Sequence, residues 1–173
     1  MKTIFFALLL MISSNAMAQT PGYIPYKDSV NGSVVFNGPI TFDDLNGELS
    51  FTWMMHANEY KPYDKVIEYL QKYLKDYSFV VFLGTWCDDS HILIPRFERV
   101  LQLANYPLSK VVLYGTDRAK KTKGGEEQKY GITLVPTIIV MKNDKEVGRI
   151  TENVKKTIED DLAAIITFPP QTK

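Results

Sequence analysis

The apolar positions of this 173-residue chain change period along its length, and each change marks an element. After Pro62, residues Val66, Leu70, Tyr73, Leu74 and Tyr77 recur at three- and four-residue steps, which predicts a helix with one apolar face. Pro62 suits the start of that helix because its ring presets φ for a first helical turn. The run Phe79-Val80-Val81-Phe82-Leu83-Gly84 is short, unbroken and rich in aromatic and β-branched residues, as in a strand buried on both faces. Helical spacing returns with Leu93, Phe97, Val100, Leu101 and Ala104. Pro95 falls inside this second helix, where it lacks an N–H and opposes the carbonyl of His91, so a bend is expected there. Val111-Val112-Leu113-Tyr114 reads as another buried strand, and residues 126–130 as a helical turn stopped by Gly131. Two strands follow at residues 138–141 and 147–150 across the turn Lys142-Asn143-Asp144-Lys145, and Ile158, Leu162, Ile165 and Ile166 line the inner face of a last helix.

The N-terminal part is less regular. Residues 19–39 are rich in Gly, Pro, Asn and Ser, with short apolar runs such as Val34-Val35-Phe36, which predicts an extended arm or an edge hairpin. Leu49, Phe51 and Trp53 alternate as in a strand, while Leu45, Leu49 and Trp53 fit a helix, and periodicity leaves both readings open. Met1-Lys2-Thr3, the apolar stretch over residues 4–12 and Ala16-Met17-Ala18 together read as a secretory signal peptide cut after Ala18. Its apolar stretch is too short to span a bilayer, and no later segment has the ~20 apolar residues a span requires, so no membrane insertion is expected after cleavage. The expected organisation is a signal peptide at 1–18, an N-terminal extension at 19–60 and one domain at 61–173.

Charge changes this picture little. Twenty basic and twenty acidic residues cancel, which removes the general electrostatic argument for nucleic acid or an anionic membrane surface as a partner. Arg118-Ala119-Lys120-Lys121-Thr122-Lys123 is a local basic run in an expected loop and is assigned no function. Cysteine use is more telling. An exported small protein often carries paired cysteines as staples, but this chain has only Cys87, so no intrachain disulfide can form.

Cys87 stands at the junction of an expected strand and an expected helix, within Trp86-Cys87-Asp88-Asp89-Ser90. A thiol there meets the unpaired N–H groups and positive end of the helix, which favour the reactive thiolate form. With Pro95 in the following helix, and with Lys129-Tyr130-Gly131-Ile132 leading through Thr133-Leu134 into Val135-Pro136-Thr137-Ile138, the chain from about residue 78 to 166 resembles the thioredoxin superfamily. That resemblance implies an α/β thioredoxin-like fold: a central mixed β-sheet flanked by helices, here with an N-terminal extension. It also implies a cis peptide bond before Pro136, which sits against the cysteine while the backbone of the preceding residue pairs with an extended substrate. Val135 and Pro136 would therefore bind substrate, with Trp86 either offering a flat apolar contact or lying in the core.

Two departures qualify the resemblance. Disulfide-reducing members use Cys-x-x-Cys, and here Ser90 holds the second position, so no internal thiol can resolve a mixed disulfide. Six residues before the cysteine, where the family buries a proton-accepting aspartate, this chain has Val81. Ser90 either turns its hydroxyl to the sulfur or fills space in the first helical turn. Asp88 and Asp89 suit that turn through the macrodipole yet repel a thiolate. His91 could pair with the thiolate, or be exposed and inert. Cys87, His91 and His56 are too few for a soft metal site, so no metal and no cofactor is expected.

Two functions remain open. One is a monothiol thiol–disulfide exchange protein, with Cys87 and Ser90 as catalytic residues, acting on exported protein or small-molecule disulfides, with exported protein thiols or a small-molecule thiol as further partners. The other is a degenerate binding module that holds extended polypeptide through Trp86, Val135 and Pro136. The periplasm is the expected compartment, with secretion beyond it also open.

Overall fold

A computed structural model describes residues 22–167. The expected signal peptide lies outside the described residues. Among the described residues, six strands form one sheet in the order β1-β2-β4-β3-β5-β6. The central strand is β3 (Ser78–Leu83), parallel to β4 (Val111–Gly115) on one side and antiparallel to β5 (Thr137–Lys142) on the other. Beyond β5 runs β6 (Lys145–Thr151), joined to it by a tight turn in which Asn143 and Asp144 both have positive φ, a backbone that Asn and Asp tolerate better than most residues. Strand alternation divides the core. Phe79, Val81 and Leu83 point into the larger apolar cluster, and Val80 and Phe82 into a smaller one on the opposite face.

The larger cluster is closed by α2 (Asp64–Tyr73), α3 (Asp88–Leu103) and α5 (Ile158–Thr167). Leu93, Phe97, Val100, Leu101 and Ala104 are all buried, as their spacing predicts. In α2 the buried stripe is Ile67 and Leu70, continued by Leu74 in a following 3-10 turn, whereas Tyr73 is exposed. In α5, Ile158, Leu162 and Ile166 are buried and Ile165 is half-buried. A four-residue helix, α4 (Glu126–Lys129), ends near Gly131, whose φ is +61°.

The segment before Pro62 joins the same sheet. β1 (Ile24–Lys27) and β2 (Val34–Ile40) form an antiparallel hairpin, and β2 pairs antiparallel with β4 through Gly38–Gly115, Pro39–Tyr114 and Ile40–Leu113. Gly115 permits this approach, because a Cβ there would lie 2.0 Å from the Phe36 carbonyl oxygen. Val35, Phe36 and Ile40 are buried, each worth about 1.5–3 kcal/mol by burial of its side chain. Residues 42–59 fit neither reading left open by periodicity. They form a short helix α1 (Phe42–Gly47), opened by a Thr41–Asp44 capping box, and a 3-10 segment (Thr52–Glu59), with Leu49 94% exposed between them. The first element closes after Gly47 and the second opens at Thr52, before any long period can build up. No helix among the described residues is long and apolar enough to cross a membrane.

Candidate active site

Cys87 is the N-cap of α3, with φ −104° and ψ 123°. Its N–H donates to the Gly84 carbonyl at 2.9 Å, and its carbonyl accepts from His91 N–H at 3.1 Å, so the thiol sits where the chain turns from sheet to helix. It is half-buried, and Asp88 and Asp89 follow in the exposed first turn. The Cys87 S–H points to the Val135 carbonyl at 3.5 Å, and the Val135–Pro136 peptide bond is cis. Val135 and Pro136 are buried, which leaves the exposed Leu134 and the half-buried Trp86 at the mouth.

Ser90 lies beneath this mouth. It is fully buried, and its Oγ accepts from Gly84 N–H at 3.2 Å. Its hydroxyl thus ties the first turn of α3 to the end of β3, and no Ser90–Cys87 hydrogen bond is present among the described residues. Thr85 is pinned from both sides: Oγ1 donates to the Val34 carbonyl at 3.1 Å and accepts from Phe36 N–H at 3.2 Å, while its own carbonyl accepts from His91 Nε2–H at 2.8 Å. His91 is therefore neither inert in solvent nor hydrogen-bonded to the thiol. Its ring stacks on Trp53 at 4.5 Å, with Nδ1 3.9 Å from Asp88.

Trp86 donates its indole N–H to the Thr116 carbonyl at 2.8 Å, and Gly84 makes room for the ring, since a Cβ there would fall 2.6 Å from Trp86 Cε2. Over the ring lie Arg118 Cζ at 5.0 Å from the centroid and Lys120 Nζ at 5.7 Å. The basic run assigned no function from sequence thus borders Trp86, the residue before the thiol. Its signal was legible only as a run of like charge, with nothing local to say what it would cover. Arg118 is held in turn by Asp28 at the tip of the β1–β2 hairpin, with Nε 2.7 Å from Oδ2 and Nη2 3.2 Å from Oδ1. The guanidinium, with the N–H groups of Val30 and Asn31, holds the Asp28 carboxyl down at about 2. Asp28 raises Arg118 in turn, and the nearby Cys87 sulfur acts in the same direction.

Other buried carboxylates are engaged elsewhere. Glu98 accepts from Asn46, Glu159 from Tyr60 O–H and Tyr63 N–H, and Glu127 from Thr122. Val81 is fully buried in the larger apolar cluster, so the β3 position beneath the site carries no proton acceptor. Among the described residues no three His, Cys, Asp or Glu side chains converge as a metal site. His56 and His91 share only a cleft of about 320 Å³ with Glu59, Tyr60 and Arg96. A cavity of about 520 Å³ between β6 and α5 does not include Cys87.

A mixed sheet flanked by helices, with a half-buried thiol at a helix N-cap facing a cis-proline loop, defines a thioredoxin-like α/β protein. The thioredoxin family model matches residues 58–166, well over half of the chain, and the chain belongs to that family. No curated protein matches it. Among solved structures, a protein of unknown function from Pseudomonas aeruginosa is 16% identical with a TM-score of 0.50, covering 75% of this chain and 81% of its own. A Fasciola hepatica thioredoxin is 24% identical, with a TM-score of 0.38 over 60% of this chain and 88% of its own. Thioredoxin-2 of the malaria parasite, described as a component of a protein secretion machinery, is 21% identical, with a TM-score of 0.40 over 53% and 81%.

Proposed function

We propose that this protein is a monothiol thiol–disulfide exchange protein acting through Cys87. The observation that carries the reading is the half-buried Cys87 Sγ at the N-cap of α3, 3.5 Å from the Val135 carbonyl beside the cis peptide bond. The Cys87 thiolate attacks one sulfur of a partner disulfide; the new S–S bond joins Cys87 to that partner, and the other sulfur leaves as a thiolate. With Ser90 in the second position, release falls to an external thiolate, which attacks the partner sulfur of the mixed disulfide and frees Cys87 unchanged in oxidation state. Ser90 supports this chemistry by holding Gly84 and the turn that presents Cys87. Trp86 and the Val135–Pro136 backbone would hold the partner chain. The leader-like N-terminus supports export, with proteins bearing disulfides or thiols in the periplasm as the partner class.

A second reading, a binding module without turnover, draws support from the apolar, buried Val81 and from the lack of a second thiol. One experiment separates them. Incubating the protein with a peptide disulfide should give a mass adduct on Cys87 that an added small thiol reverses, and Cys87→Ser should abolish the adduct. Wild-type protein that forms no adduct, yet binds the reduced peptide as tightly as Cys87→Ser does, would establish the module instead.

A further inference from the structure

The N-terminal hairpin reaches the Cys87 mouth through a chain of contacts that neither the family match nor the monothiol reading uses. The family model begins at residue 58, whereas Asp28 sits at the tip between β1 and β2. Asp28 is 6% exposed, grips Arg118 with both carboxylate oxygens, and so seats the guanidinium on the outer face of Trp86, the residue next to Cys87. A second tie, Thr85 Oγ1 to Val34 and Phe36, fixes the same loop to β2.

We infer that Asp28 and Arg118 are positioning residues that together set the charge felt by Cys87: Arg118 supplies a cation beside the thiol, and Asp28 both holds that cation in place and balances most of its charge. The inference rests on the reading that Cys87 is the reacting group.

Other ionisable groups stand on the elements around the site. Asp88, Asp89 and His91 belong to α3, Lys120 to the loop after β4, and Tyr26 to the hairpin. Lys120 lies over the same ring as Arg118, at 5.7 Å. Its charge is common to every Asp28 and Arg118 variant, as are those of the other four, so differences between variants report the Asp28–Arg118 pair.

Asp28→Asn keeps an amide oxygen to accept from Arg118 and loses only the charge, so removing each member's charge acts on the thiolate in the opposite sense to removing the other's. The midpoint of Cys87 alkylation against pH should fall by about half a unit in Asp28→Asn and rise by about half a unit in Arg118→Met. Arg118→Lys keeps the charge and should stay within about a few tenths of wild type. A merely structural clamp gives another pattern: both single variants loosen the same loop and shift the midpoint the same way. Shifts of the same sign, or no shift in Arg118→Met relative to Arg118→Lys, would overturn the inference. Should Asp28→Asn fail to fold, the Arg118→Met and Arg118→Lys pair still decides the sign. Alkylation needs no disulfide substrate, so failure of the exchange assay alone leaves these midpoints measurable and sinks only the proposed function.

Discussion

At the scale of single residues, the buried polar groups carry the sharpest tests. Burial pushes the Glu98 carboxyl up, and the hydrogen bond from Asn46 only partly offsets this. A carboxyl raised on folding contributes stability that is fully present below its unfolded value and is lost as pH rises through the folded one. Glu98→Gln keeps an acceptor for Asn46 and removes the buried charge, so its melting temperature should exceed wild type at neutral pH and converge with it in acid. Ser90 tests the site itself. Ser90→Cys places a second thiol one helical turn from Cys87 and should restore slow disulfide reduction. Adding Val81→Asp should raise the rate at a cost in stability, because it supplies a proton acceptor inside an apolar cluster. Equal rates for the single and double variants would show that Val81 does not limit proton transfer. That Cys87 stands at the start of α3 was legible from the elements around it, and its closeness to Val135 from the resemblance. The inward turn of Ser90 was not, since a serine one turn after a cysteine can reach either the sulfur or the backbone beneath it, and only the position of Gly84 N–H selects between them.

At the scale of elements, periodicity performed best where one face of an element meets the core. The inner faces of α3 and α5 follow three- and four-residue spacing, and the β5–β6 turn follows its Asn143-Asp144 pair. It failed over residues 42–59, where two short elements and an exposed leucine share too few residues to show a period. The junctions depend on two glycines that no pattern marks. Gly84→Ala should displace the Trp86 indole and change both tryptophan fluorescence and the Cys87 alkylation rate, because the added carbon meets the ring at 2.6 Å. Gly115→Ala should destabilise the protein by about 1–3 kcal/mol in denaturant titration, because its Cβ would overlap the Phe36 carbonyl and force β2 off β4. Unchanged stability in Gly115→Ala would mean that the hairpin contributes little.

For the whole molecule, the N-terminal extension behaves as part of the domain. β2 covers the edge of β4 and buries Val35, Phe36 and Ile40, so a chain starting after residue 41 should unfold at markedly lower denaturant, with β4 left as an open edge. Acid should act on the same region. Arg118 and the Val30 and Asn31 N–H groups hold Asp28 at about 2; burial pushes Glu127 up, but hydrogen bonds from Thr122 and the approach of Lys121 hold it at about 2 as well. Carboxyls depressed on folding contribute stability that is present above their unfolded values, about 3.9 and 4.3, and lost as pH falls toward 2. The wild-type melting temperature should therefore fall through that window, and the fall should be shallower in Asp28→Asn.

The order of strands and helices after Pro62 and the thiol at a helix start were determined by the sequence alone, and the proline facing it by the resemblance its motif carries. Each depends on neighbours within a few residues or on a motif of fixed spacing. Only the tertiary structure decided that the hairpin completes the sheet beside β4, that His91 binds Thr85 and Trp53, and that Asp28 holds Arg118 over Trp86. Strand edges and charged side chains have many compatible partners along a chain, and the choice among them is made by which surfaces the folded core brings within a few ångströms of each other.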